Sequence, residues 1–185
     1  MIKRISNWLY RISNGWLVLG ALLVFLLFSI LVLPGQSASA EAVSADAGSP
    51  DMSFYYSTDD LYRMAESYGQ AGRDAYIRAR FTFDLVWPVV YTLFLTTAVS
   101  WIYARAFPQN FKFWWVNLLP LLGMIFDYLE NISTSLVMFR YPQPTPLADS
   151  LAPVFTMLKW TLISGSFLLL IAGILILMKQ RFVQK

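Results

Sequence analysis

Cysteine and histidine are both absent from the 185 residues. Without thiols there is no disulfide exchange, no iron–sulfur cluster and no thiolate zinc site. Without imidazole the chain lacks the usual zinc and haem ligand and the commonest general base. No haem, zinc or iron–sulfur cofactor is therefore expected. Charge is scarce too: Asp, Glu, Lys and Arg make up 14% of the chain, against ~25% in a soluble domain. That is too little to cover a water-facing surface. Hydrophobic residues fill the difference at 57%, with aromatics at 17%.

The apolar residues come in four blocks, at 16–33, 83–104, 114–138 and 154–178. Each is long enough to cross a bilayer as a helix, which takes ~20 residues. Trp16, Tyr103, Trp114, Trp115, Tyr141 and Trp160 mark the edges, as in an interfacial aromatic belt. The fold class expected is all-α: a polytopic membrane protein built as a four-helix bundle.

Charge distribution sets the expected orientation. Lys3, Arg4, Arg11, Arg105, Lys112, Lys179, Arg181 and Lys185 give eight basic residues and no acidic ones on one side. The other side, 34–82 with 139–153, carries five basic and eight acidic residues. The positive-inside rule then puts both termini in the cytoplasm of a cell (inner) membrane, with 105–113 and 179–185 also inside. Ala38-Ser39-Ala40 resembles a signal-peptidase site, but 16–33 exceeds a typical ~7–15-residue secretory core. An uncleaved anchor is preferred, and cleavage would invert no other span.

Residues 1–15 are a basic segment with a short echo, Arg4-Ile5-Ser6-Asn7 and Arg11-Ile12-Ser13-Asn14. Ile2, Ile5, Leu9 and Ile12 share one helical face, which suits either an interfacial helix or the plain basic flank of a first span. Residues 35–50 are small and polar and read as a flexible linker. Helical order is predicted over 58–82. Ser57 or Thr58 caps a helix whose first turn holds Asp59 and Asp60, and Gly69 ends it. A second helix from Ala71-Gly72 meets no breaker before Pro88 and is predicted to run straight into the span at 83–104. At 100° per residue Arg73, Arg80, Asp84, Pro88 and Tyr91 fall on one face of it.

Gly72-Arg73-Asp74-Ala75-Tyr76, then Asp84, Pro88 and Tyr91, and later Phe126-Asp127-Tyr128-Leu129-Glu130-Asn131 resemble a family of small four-helix membrane proteins of prokaryotes. The resemblance spans 57–138. It implies the four-helix architecture and a set of polar residues that travel together, and it supplies no reaction.

The sharpest feature lies in 114–138. Asp127, Glu130 and Asn131 interrupt an apolar run, and an ionised residue at bilayer depth costs at least ~2.5–3.5 kcal/mol, so it turns to the bundle interior. Pro120, Gly123, Asp127, Asn131 and Thr134 form one stripe, with Glu130 at its edge. Asp84 starts the second span, and Lys159 is the sole basic residue inside a span. Asp84, Asp127, Glu130 and Lys159 thus converge from three helices on the outer half. Lys159 is expected to pair with Asp127 or Glu130, and Arg80 with Asp84. One carboxylate is then left without a cation.

The plain structural reading is that these charges hold the helices in register. The functional reading makes them a site for a lipid, a small ligand or a partner subunit, a second copy included. Its candidates are Asp84, Asp127, Glu130, Asn131, Lys159, Arg73, Arg80 and Tyr91. The rival class is an enzyme acting on a lipid or isoprenoid, with Asp127 or Glu130 as general base or holding Mg²⁺ or Ca²⁺ through oxygen. An ion path is disfavoured, because the inner half of the spans holds no ionisable residue. Ser164-Gly165-Ser166 lacks the glycines of a nucleophile elbow and reads as a close-packing patch. Phe111, Phe113, Trp114 and Trp115 beside Lys112 read as interface anchors, so no nucleic acid is expected.

Overall fold

The computed structural model describes residues 1–44, 47–108 and 112–183, so Phe111 and Lys185 lie outside the described residues, as does part of the 105–113 loop. The described chain is helical throughout and holds no strand. Its helices are α1 (Ile2–Ile12), α2 (Gly15–Leu31), α3 (Leu33–Ser44), α4 (Thr58–Ser67), α5 (Gly69–Arg80), α6 (Phe83–Ala106), α7 (Leu119–Arg140) and α8 (Pro146–Val183). Three helical stretches are long and apolar enough to cross a membrane: Gly15–Ala42, Gly69–Ala106 and Pro146–Val183. At 22 residues α7 has the length, but Asp127, Glu130 and Asn131 dilute its apolar character, and it is not among them.

Local chemistry explains the element boundaries. The Asn14 side chain accepts from the Leu17 N–H at 3.0 Å and opens α2. Ser57 and Asp60 form a reciprocal capping box at the start of α4, with Asp59 beside it at the positive end of the helix. Gly69 sits at φ +59, a left-handed conformation that only glycine adopts without strain, and turns α4 sharply into α5. Two expectations change here. Helix continues past Pro34 to Ser44, so most of the expected linker is helical. A two-residue turn at Phe81-Thr82 separates α5 from α6, where one continuous helix was predicted.

α7 and α8 make the most extensive helix pair, α6 packs on both, and α2 lies against α6. One apolar cluster joins α2, α6 and α8 through Ala21, Tyr91, Phe94, Leu95, Ile163 and Leu170. A second lies under α4 and α5, where Leu61, Met64, Tyr68 and Tyr76 meet Val137, Met138 and Ala152 of α7 and α8. Around them the polarity is inverted. Thr92, Thr96, Thr97 and Ser100 are buried along α6, while Leu85, Val86, Val89 and Leu93 of the same helix are exposed.

α1 folds back on the bundle through a buried polar knot. Ser6 Oγ lies 2.7 Å from the Trp114 carbonyl and 2.8 Å from Asn117 Oδ1. Asn117 Nδ2 donates to the Ser6 carbonyl at 3.1 Å and to Ser100 Oγ at 3.0 Å. Of the face expected to share a role, Leu9 is buried while Ile2, Ile5 and Ile12 stay exposed.

Close helix approach rests on Gly123 and Gly173, not on Gly165. A Cβ at Gly173 would lie 2.7 Å from Tyr103 Cε2 and 2.8 Å from Ile102 Cγ2, and one at Gly123 3.1 Å from Ile163 Cγ1. At Gly165 it would meet nothing within 4 Å. Overpacking costs ~1–3 kcal/mol, partly offset by the ~1 kcal/mol of helix propensity that alanine restores. Gly173→Ala is expected to destabilise the purified protein in thermal unfolding, and Gly165→Ala to leave it unchanged or raise it.

Candidate functional site

A chain of five charged side chains runs through the end of the bundle that the α3–α5 region covers. Arg80, last in α5, places Nε 3.0 Å from Asp84 Oδ2 in the first turn of α6. Its Nη1 forms an ion pair with Asp51. Asp51 Oδ1 lies 3.2 Å from Lys159 Nζ of α8, which is also ion-paired to Glu130 of α7. Charges therefore alternate along Asp84, Arg80, Asp51, Lys159 and Glu130, with each cation between two carboxylates. Arg80 also lies over the Tyr76 ring, 4.6 Å from its centroid.

Burial is severe for four of the five. The Glu130 side chain is 0% exposed, Lys159 4%, Arg80 7% and Asp84 10%, whereas Asp51 is 24% exposed. Asp51 alone stands on a short 3-10 turn (Pro50–Met52), and the other four stand on helices. Its neighbours Met52, Phe54 and Tyr55 are exposed, while Pro50 and Tyr56 are buried. The most exposed charge is thus carried by the least helical segment of the cluster.

The network continues through neutral hydroxyls. Thr156 Oγ1 donates to Glu130 Oε1 at 2.8 Å and lies 3.0 Å from the Tyr56 hydroxyl. Burial first, and then the Glu130 carboxylate, hold the Tyr56 hydroxyl far above its ordinary titration range. The Ala152 carbonyl also lies 3.0 Å from Thr156 Oγ1, so the one Thr156 proton has three acceptors in reach, of which Glu130 Oε1 is the nearest. Tyr76 Oη donates to Thr134 Oγ1 at 3.1 Å, and Thr134 in turn donates to the Glu130 carbonyl at 2.9 Å.

Asp127 stands apart. Tyr91 Oη donates to its Oδ2 at 2.9 Å and Asn131 Nδ2 to its Oδ1 at 3.1 Å. Among the described residues Asp127 forms no ion pair, and the buried Asn131 Oδ1 beside it has no hydrogen-bond partner. The two α7 acids diverge, Glu130 towards Lys159 and Thr156, Asp127 towards Tyr91 and Asn131. No group of three or more acidic side chains spaced to hold a metal ion occurs among the described residues.

Seven of the eight sequence-derived candidates meet in these two adjacent networks. Arg73 does not. Its Nη1 donates to the Ala65 carbonyl at 2.8 Å and its Nη2 to Gln70 Oε1 at 2.9 Å, so it clasps α4 to α5, and it lies over the Tyr141 ring at 4.8 Å. The expected pairs Arg80–Asp84 and Lys159–Glu130 are present, and Asp127 is the carboxylate left without a cation. Sequence reasoning missed Asp51, Tyr56 and Thr156, and it named Tyr76 and Thr134 without giving them a place in the site. A cleft of about 580 Å³ beyond the cluster is lined by Ser53, Tyr55, Asp60, Arg63 and Met64, and reaches the network through Tyr56. No protein-family model, curated protein or solved structure matches the chain.

Proposed function

We propose that the chain is an integral membrane protein of the cell (inner) membrane that binds a ligand without converting it. In this reading α2, α6, α7 and α8 are four spans, both termini are cytoplasmic, and α4 and α5 cover the outer mouth. The inverted polarity of α6 supports the membrane setting, since a water-facing helix would turn its threonines out and its leucines in. The basic residues gathered at one end support the orientation. The ligand is a lipid, a small molecule or a partner subunit. A carboxylate enzyme is less well supported, because the two α7 acids diverge.

The observation that carries the binding reading is Asp127 with Asn131. A pure staple would balance its charges within itself. Here a buried carboxylate has no counter-ion, and an unpartnered amide oxygen lies next to it. Both are acceptors that a ligand donor would satisfy.

Asp127→Asn tests this with little risk to the fold. The new amide still accepts from Tyr91, a flip of the Asn131 side chain turns its Oδ1 to the new amide N–H, and no cation is stranded. Its stability is expected to stay within about 1 kcal/mol of the unsubstituted protein. Native mass spectrometry of the unsubstituted protein, extracted from the membranes that express it, is expected to show a retained mass that Asp127→Asn loses. A bare unsubstituted protein, or an equal mass on the variant, overturns the reading.

A further inference from the structure

We infer that Arg80 and Lys159 form a binding site for a phosphate-type anion, and that Asp51 occupies it in the structure as a tethered competitor. The inference goes beyond the binding reading above: it concerns the cations Arg80 and Lys159, not the acceptors Asp127 and Asn131. Each cation already owns one carboxylate fixed in the bundle, Asp84 for Arg80 and Glu130 for Lys159. The position between the cations is filled by a third carboxylate, from the covering segment, whose two oxygens are divided between Arg80 Nη1 and Lys159 Nζ. An acid that bridges two cations through separate oxygens is geometrically a stand-in for a tetrahedral oxyanion, which offers the same two contacts and more.

The donors suit that class. The Arg80 guanidinium uses Nε on Asp84 and keeps its outer edge for the shared anion, and planar forks of this kind recognise phosphate. Lys159 supplies a compact point charge that is almost wholly removed from solvent. Replacing Asp51 by an anion leaves the cluster's charge alternation intact, so exchange strands no buried cation.

The competitor can be exchanged because of where it stands. Asp51 is held by a three-residue turn, and its side chain is the most exposed of the five. A tethered group competes at the effective concentration set by its tether, so its neutralisation raises apparent affinity for a free ligand. The anion comes either from a lipid headgroup or from free phosphate esters, and two probes separate these sources.

The test uses the full chain in a neutral detergent, titrated with short-chain phosphatidylglycerol and separately with glycerol 3-phosphate. Asp51→Asn is expected to bind at least one probe about tenfold more tightly than the unsubstituted protein. Adding Lys159→Gln is expected to abolish that gain, while adding Lys112→Gln leaves it. Gain with the lipid alone identifies a headgroup site, and gain with both identifies a phosphate site open to solution.

A second measurement keeps the wild-type loop. Ser49 is buried beside Pro50 and Asp51, and the chain has no native cysteine. Maleimide labelling of Ser49→Cys is expected to speed up when either probe displaces the turn. No gain in affinity together with unchanged labelling overturns the inference. If Asp51→Asn fails to fold, the labelling result alone decides. A retained mass that still depends on Asp127 would leave the binding reading standing without this ligand class. Loss of both removes the reading itself.

Discussion

Lys159→Met is expected to cost the protein ~3–5 kcal/mol of stability, the range for breaking a buried ion pair from one side. The substitution strands Glu130, whose side chain is wholly buried, and removes one of the two cations on Asp51. Lys112→Met, an equal change of charge at an exposed position, is expected to stay within about 0.5 kcal/mol. Adding Glu130→Gln to Lys159→Met should restore most of the loss, because it removes the stranded charge and not merely its partner. Denaturant unfolding of the four proteins in one detergent measures this. Equal stability for Lys159→Met and Lys112→Met would show that Lys159 reaches water and that the ion pairs contribute nothing.

Arg80→Met is expected to be comparably damaging, by ~3–5 kcal/mol, since it strands Asp84 and unbalances Asp51 together. The informative control is Arg73→Met, because Arg73 lies on the same face and is equally buried. Arg73 bonds only to a carbonyl and an amide, so its removal strands no charge and should cost ~1.5–3 kcal/mol. Coupling separates the two more sharply than magnitude. Asp84→Asn should recover much of the Arg80→Met loss, whereas with Arg73→Met it should add within about 0.5 kcal/mol. A double-mutant cycle that couples Asp84 to Arg73 as strongly as to Arg80 would contradict the cluster described here.

How much of this was readable beforehand follows from what each signal encodes. Helical periodicity fixes which face a residue occupies. The stripe Pro120, Gly123, Asp127, Asn131, Thr134 is buried as expected, and Arg73, Arg80, Asp84, Pro88 and Tyr91, expected on one face, are buried as well although a turn interrupts their helix. Scarcity narrowed the pairs, because an apolar helix with a single lysine leaves few partners for an acid, but it left Lys159 between Asp127 and Glu130. Neither signal reaches Asp51. It is 108 residues from Lys159 and lies at the end of a small-residue tract with no periodicity, so only tertiary packing brings it in. Tyr56 and Thr156 escaped because neutral hydroxyls are common and their spacing carries no charge imbalance. The same holds for the Ser6–Asn117 knot, which joins positions 111 residues apart. Composition suggests close packing at Gly165 as well as in the Gly123 stripe, but it occurs at Gly123 and Gly173, where aromatic and branched side chains of neighbouring helices stand opposite.

The arrangement also separates rigidity from exchange. Four of the five charges stand on helices and pair α5 with α6 and α7 with α8. The fifth stands on a short turn and bridges the two pairs. Loss of a helix-borne charge should therefore weaken the fold, while neutralising Asp51 should mainly loosen the cover.

We propose that this cluster lies at the outer side of a four-span membrane protein. Because the chain has no cysteine, single substitutions report topology without background. Glu66→Cys in α4, Pro108→Cys between α6 and α7, and Gln180→Cys near the end of α8 are all at exposed positions. Intact cells expressing each variant are treated with a membrane-impermeant maleimide and compared with lysed cells. The expected result is labelling of Glu66→Cys in intact cells, with Pro108→Cys and Gln180→Cys labelled only after lysis. Labelling of Gln180→Cys from outside, or of Glu66→Cys only after lysis, would contradict the four-span topology and the outer position of the cluster with it.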